Sequence, residues 1–568
     1  MSPLACATLN VVALFVTGST LLAQEEFRLQ RLNGVIKLDG HSDEPAWQMI
    51  VPLPLTMRQP TFSGTPTERT EIRLAYDDDF LYASGRFYDS DPCGVRVNSL
   101  YRDRNEGDDT FDLIVDTFND NENALWFWTN PAGVRGDLAI SNDGSASNES
   151  WNTLWEVARA QTAEGWFAEM RLPFSSLGFQ NRNGRVVVGL IALRYIARKN
   201  ERLMFPAISP NRDFESPSQA QDVILEQVRS PNPLYITPHI VGGYSQTAQP
   251  DHAGTAYHLN DKSEQDFGLD AKYNLTGNLT LDLTVNTDFA QAEADNQEIN
   301  LTRFSLFFPE KRQFFQERAS IFEFNTGENS RLFHSRQIGL HDGKAVSIPG
   351  GARLVGRLQN WDVGFINMQT ARSEALPSEN FGVLRLRRQV FNEVSYAGGM
   401  LTSRLGADGS RNLAYGLDGS VHVFGNEYLT MRGAQTFDDA RHFDFWRAAL
   451  LHVQWQRRKP LGFDYNLYFT RMGADYFPAL GFVARQNFTG ASGYFRYGWW
   501  PGEGRTLRRI SPVLVWNVFA RNHDGSVESA YLRPYLHLEW KSGGILFGGI
   551  DIWHEDLIAP LALPEQAA

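Results

Sequence analysis

The chain has almost no cysteine: Cys6 and Cys93 are the only two among 568 residues. Cys6 lies in an N-terminal apolar segment that reads as removable, so the mature chain would hold one thiol and no internal disulfide. Basic charge is not in excess either, with 53 Lys and Arg against 66 Asp and Glu and a net charge of −13. A partner with a phosphate backbone needs a basic face, so nucleic acid is excluded as the main partner. After the first two dozen residues no apolar run approaches the ~20 residues that cross a bilayer as a helix, which excludes helical membrane spans. Disorder is excluded by 42% hydrophobic residues with only 21% charged. Glycine (48) and aromatic residues (12%) are abundant instead. That mix suits strands, tight turns and aromatic surfaces better than helices.

Leu4 to Ala23 reads as the core of a signal peptide covering residues 1–23 and predicts export. The leading Met-Ser-Pro carries no Lys or Arg, and Leu21 is larger than the residue preferred at that place before cleavage. From about 28 to 228 short alternating strands are separated by polar turns. Glu71 to Tyr76, Phe111 to Asp116, Ala124 to Trp128, Trp166 to Leu172 and Arg185 to Ala192 are the clearest. This predicts an all-β sandwich. Ser209 to Gln221 and Ser230 to Pro233 read as a Pro-rich linker.

Beyond the linker, from 229 to 568, the strands lengthen to ~10 residues and alternate strictly, the length of a tilted strand in an outer membrane. Leu279, Leu281, Leu283 and Val285 interleave with Thr280, Asp282, Thr284 and Asn286, and Phe463 to Phe469 does the same. Roughly sixteen such segments predict a large antiparallel membrane β-barrel with apolar residues outward. Tyr494 to Trp500 sits where an aromatic girdle would lie. The chain stops at Leu563 to Ala568 rather than on the aromatic common at the end of bacterial barrels, which predicts truncation or atypical closure. A Phe-rich stretch at about 289–330, including Phe304 to Phe322, fits neither period and reads as a folded insert in the lumen or at the rim.

Leu38 to Trp47, Ala75 to Tyr82 and Asp108 to Asp116 resemble the family 9 carbohydrate-binding module and its relatives. Asp288 to Phe315, with its Phe-Phe-Pro-Glu-Lys-Arg-Gln-Phe-Phe run, resembles a bacterial family of unknown function that joins such a module to an outer-membrane β-barrel. The resemblance covers nearly the whole mature chain. It implies a sugar-binding-like sandwich with a structural Ca2+ in the outer membrane of a Gram-negative cell, with a glycan and outer-membrane lipid as partners. It implies no known reaction.

Sugar binding needs flat aromatic faces together with groups that take hydroxyls. Trp126, Trp128, Trp151 and Trp155 are the candidates, with Arg102, Asp109 and Asp112 close in sequence. Trp126 and Trp128 share one face of their strand. For each Trp, a place in the core competes with a place at a ligand. Calcium needs converging oxygens, offered by Asp77, Asp78 and Asp120 in two acidic turns whose spacing is not that of an EF-hand. Acidic turns are more often simply solvated. No G-x-S-x-G, H-E-x-x-H or G-x-x-x-x-G-K motif is present. Two carboxylates distant in sequence could still form a glycoside hydrolase pair, so an exported hydrolase with a soluble β domain is the alternative reading.

Overall fold

The computed structural model describes residues 27–228, 234–250, 256–287, 299–300, 303–341, 344–373, 376–392, 394–441 and 443–557. The expected signal segment, Ser230 to Pro233 of the expected linker, Asp288 to Asp295 and the C-terminal Leu563 to Ala568 lie outside the described residues. No helix among the described residues is long and apolar enough to cross a membrane.

Residues 27–226 form two sheets, one of ten strands and one of five. Alternation explains their stacking. Phe111, Leu113 and Val115 of Thr110–Asp116 share one core with Ile72 and Leu74 of Thr70–Tyr76 and with Trp166, Ala168 and Met170 of Gly165–Pro173. The opposite face of the larger sheet is buried too. Ile114, Ile140, Ile191 and Leu193 form a second cluster with Ile208, against which Phe214 packs. The expected linker from Ser209 is therefore a correction: Arg58 donates to the carbonyls of Ile208, Ser209 and Arg212 and pins the segment over the sheet. Its prolines and polar residues shape a covering loop, because a strand that is apolar on both faces needs cover on both.

From Leu234–Pro250 onward, sixteen strands pair antiparallel with their sequence neighbours; the last two, Ile545–Gly549 and Ile552–Glu555, both lie on Val527–Trp540. Among the described residues no ladder joins the first strand to the last. The side chains follow the expected alternation. Thr280, Asp282 and Thr284 are buried inside, whereas Leu283 and Val285 are exposed outside. In Arg411–Phe424 the inward Asn412, Ala414 and Asp418 are buried, while Leu413, Tyr415 and Leu417 face out, Leu417 at 69% exposure. Exposed aromatics gather near both strand ends: Trp361, Phe424, Tyr497 and Trp499 at the end with short turns, and Phe437, Phe443, Phe445 and Trp446 at the other. An apolar band between aromatic girdles is the surface of a membrane barrel. A soluble hydrolase domain would need the reverse.

The interior is not an open polar channel. The insert fills it: Phe315, Phe322, Phe324, Leu332 and Ile338 pack on Val355, Ile366, Met368, Phe381, Met400 and Phe519 of the inner wall. The insert also extends further than the expected 330, to Ile338. Arg331 and Phe482 exchange backbone hydrogen bonds at 2.8 and 3.0 Å, so the loop before Phe488–Gly498 folds inward over the plug.

Candidate functional site

The sandwich sits on the short-turn end of the barrel, and charged side chains make the joint. Asp120 pairs with Arg357 at 2.9 Å, and Arg357 also holds Asp362 at 2.6 Å. Asp362 in turn accepts from Arg387, which reaches Glu122 at 3.3 Å. Asn142 donates to Glu323 of the plug at 2.8 Å. Asn200 donates to the Lys541 carbonyl in the turn after Val527–Trp540 at 3.1 Å. Sheet geometry supplies the arginines. Arg353 and Arg357 alternate inward along Gly350–Leu358, as do Arg385 and Arg387 along Glu379–Gln389. Burial raises the Glu122 carboxyl to about 7, with Arg387 pulling in the opposite direction.

Between sandwich, barrel and plug lies a cavity of about 490 Å³. Arg102, Asn123, Trp151 and Leu154 line it from the sandwich, Tyr235 and Lys272 from the barrel, and Phe314 and Glu317 from the plug. Apolar and hydrogen-bonding groups thus meet in a space of small-molecule size, the combination a saccharide requires.

The residues expected to bind sugar divide sharply. Trp151 and Trp155 are buried and meet Phe127 edge-on at 6.1 and 5.6 Å. Trp128 is buried across Gly136, where an added Cβ would fall within 1.9 Å of the indole. Trp126 is half-buried beneath Phe214 at 6.1 Å and donates to Asp112 at 3.0 Å. None presents an open stacking face, because the sandwich uses its indoles to fill its two cores; only Trp151 also borders the cavity. Asp112 also accepts from Thr110 at 2.5 Å, and burial lifts its carboxyl to about 6. Asp109 accepts the Ala197 amide at 3.0 Å and is likewise raised by burial. Arg102 does border the cavity, held by Asp137 at 2.8 Å.

Asp137 escaped the sequence reading. It is a single buried carboxylate that takes Arg102 and the Trp155 indole at once. Its signal was one acid in the otherwise apolar run Asp137 to Ile140.

The expected calcium ligands do not come together. Asp77 caps its own turn through the Asp79 and Phe80 amides and accepts the Tyr82 hydroxyl, Asp78 pairs with Arg31, and Asp120 caps Glu122 and Asn123 besides holding Arg357. No group of three or more His, Cys, Asp or Glu converges among the described residues. These carboxylates are already occupied by amides and arginines, so they do not fit a calcium ion.

The architecture is all-β: a β-sandwich set on a large antiparallel β-barrel. Residues 233–350 match a family described as a domain of unknown function (DUF5916), which spans the first barrel strands and the plug. No curated protein matches the chain. A family 9 carbohydrate-binding module from Caldicellulosiruptor kristjanssonii, solved in complex with cellotriose, aligns at 16% identity and a TM-score of 0.26 over 36% of this chain and 94% of its own. OccK7 (OpdD) of Pseudomonas aeruginosa aligns at 11% identity and 0.26 over 78% and 92%. OccAB2 of Acinetobacter baumannii aligns at 8% and 0.27 over 78% and 90%.

Proposed function

We propose that this chain is an outer-membrane barrel protein whose sandwich binds carbohydrate at the cavity facing the barrel mouth. The observation that carries the reading is the sidedness of the long strands: an apolar exterior with an aromatic band near each end, around an interior of charged and plug-covered residues. Lipid is the surrounding that such an exterior fits. Short turns of outer-membrane barrels lie on the periplasmic side, so the sandwich would face the periplasm. In the cavity, Arg102, Asn123 and Asn152 can take hydroxyls while Leu154 and Phe314 offer apolar contact. The barrel serves as anchor, and the plug keeps it from being a simple open pore.

Two measurements test this. Membrane fractionation and migration on an unheated gel should place the protein in the outer membrane as a fast-running folded species. Titration of the detergent-solubilised protein with cello-oligosaccharides should give saturable binding that Arg102→Ala weakens. A protein recovered in the soluble fraction would overturn the membrane half, and binding untouched by Arg102→Ala would overturn the assigned cavity.

A further inference from the structure

A second cavity, of about 380 Å³, reaches from Asn142 and Asp143 of the sandwich past the plug to the inner wall of the barrel, and it shares no lining residue with the first. Its volume is in the range of small-molecule sites. Tyr428, Thr430, Arg432, Gln454, Tyr468 and Ser492 contribute its barrel wall.

Arg432 is the exception among the inward arginines. Arg353 holds Asp282, Arg385 holds Asp418, Arg404 holds Glu379, Arg485 holds Glu528 and Arg496 holds Asp464. The guanidinium of Arg432 makes no hydrogen bond or ion pair among the described residues, and its Nε is enclosed without a partner. The neighbour that should serve it is taken. Asp418 stands directly opposite Arg432 in the ladder, yet its two oxygens accept from Arg385 at 2.6 and 2.7 Å. The acids around the cavity are committed elsewhere as well: Glu122 to Arg387, Asp143 to Ser218 and Glu328 to Arg485. Only Nε of Arg432 is enclosed, and the half-buried side chain lines the cavity, so a guanidinium without a counter-charge of its own is offered to an anion that enters.

We infer that this lumenal cavity binds a small hydroxylated carboxylate of uronic-acid size, its carboxylate on Arg432 and its hydroxyls on the tyrosine, threonine and amide groups of the wall. A planar guanidinium matches a carboxylate through two parallel hydrogen bonds. One uncompensated positive charge suits a monoanion better than a doubly charged phosphate. The cavity's second guanidinium, Arg458, has Asp143 at 3.9 Å and lies over the Tyr428 ring at 4.1 Å. The rest of the barrel wall is rich in donors and acceptors: Gln454 donates to Asn466 at 3.0 Å, and His452 shares a hydrogen bond with Thr470 at 2.8 Å.

The test is calorimetric titration of the full-length protein in detergent with D-glucuronate and D-glucose. Glucuronate should bind at least about tenfold more tightly than glucose, and Arg432→Gln should remove that difference. Glucose binding equal to glucuronate, no heat with glucuronate up to about 50 mM, or an Arg432→Gln protein that binds within about twofold of wild type would each overturn the inference. Unheated gel migration reports whether Arg432→Gln is folded. Ser492→Trp, which fills the cavity and leaves the charge in place, should abolish glucuronate binding, and wild-type titration by it would equally overturn the inference. Arg102→Ala and the cello-oligosaccharide titration read the other cavity, so the two proposals fail separately.

Discussion

Asp120 of the sandwich and Arg357 of the barrel meet at 2.9 Å, and the same guanidinium holds Asp362 at 2.6 Å. One arginine therefore joins two domains, and ion pairs, the Asn142 and Asn200 amides and the Phe118 ring beside Arg318 and Arg357 hold the sandwich to the mouth of the barrel. Breaking a buried pair from one side leaves the other charge uncompensated, at about 3–5 kcal/mol when no second partner remains. Asp120→Ala should fall below that range, because Asp362 stays on Arg357. Asp120→Ala combined with Glu122→Ala should release the sandwich, read as faster proteolysis at the domain junction with the unheated barrel band unchanged. Unaltered proteolysis would show that the joint is held elsewhere.

Docking should also respond to pH through Glu122. Its carboxyl, ordinarily near 4.5, is raised to about 7 by burial at the joint, so the docked form holds a proton that the separated form gives up. The contribution is complete below about pH 4.5 and is lost as pH rises through about 7. Protease resistance of the junction should fall across that interval in wild type and stay flat in Glu122→Gln. The same fall in Glu122→Gln would assign the effect to another group.

The exterior of the barrel makes a different demand. Leu417→Arg, on an exposed position of Arg411–Phe424, should cost ~2–4 kcal/mol if it lies near the bilayer midplane. Asp282→Ala acts from the inside: it strips Arg353 of its carboxylate at 2.9 Å and should cost a comparable amount. Urea titration of the protein folded in vesicles measures both. A neutral Leu417→Arg would argue that this face meets water.

In the sandwich, the indoles should behave as core. Trp155→Ala should lose ~3–5 kcal/mol, because a fully enclosed ring and its hydrogen bond to Asp137 go together. Trp126→Ala should lose less, since the ring is half-buried under Phe214. Thermal melts of a 24–228 fragment would rank them; a Trp155→Ala melt equal to wild type would contradict the packing.

Period-two alternation carried most of the architecture. Thr280, Asp282 and Thr284 against Leu281 and Leu283 already told inside from outside, because lipid and lumen impose opposite polarities on one strand. The Phe-rich insert declared itself by fitting neither period. The functional residues were far less legible. A tryptophan beneath Phe214 and one beside a sugar look alike in sequence, since both roles ask for a large flat ring. Asp120 read as a metal ligand because the turn shows its oxygens, whereas its partner Arg357 lies more than two hundred residues away. Arg432 could not be singled out at all: what distinguishes it is that Asp418, its neighbour across the ladder, is bound to Arg385.

The plug and the inner wall bury one shared apolar cluster, and this bears on how the barrel comes to exist. A cork can be drawn from a finished bottle because the neck is complete without it. Here Val355, Ile366, Met368 and Phe519 would face bare water if Phe322 and Phe324 withdrew, so the wall gains its curvature and its filling in the same step. An insert of this kind would act as a mandrel around which the strands are wound. Damage to it, as in Phe324→Ala, should therefore appear first as slow or failed assembly into the membrane, before any leak through an assembled barrel.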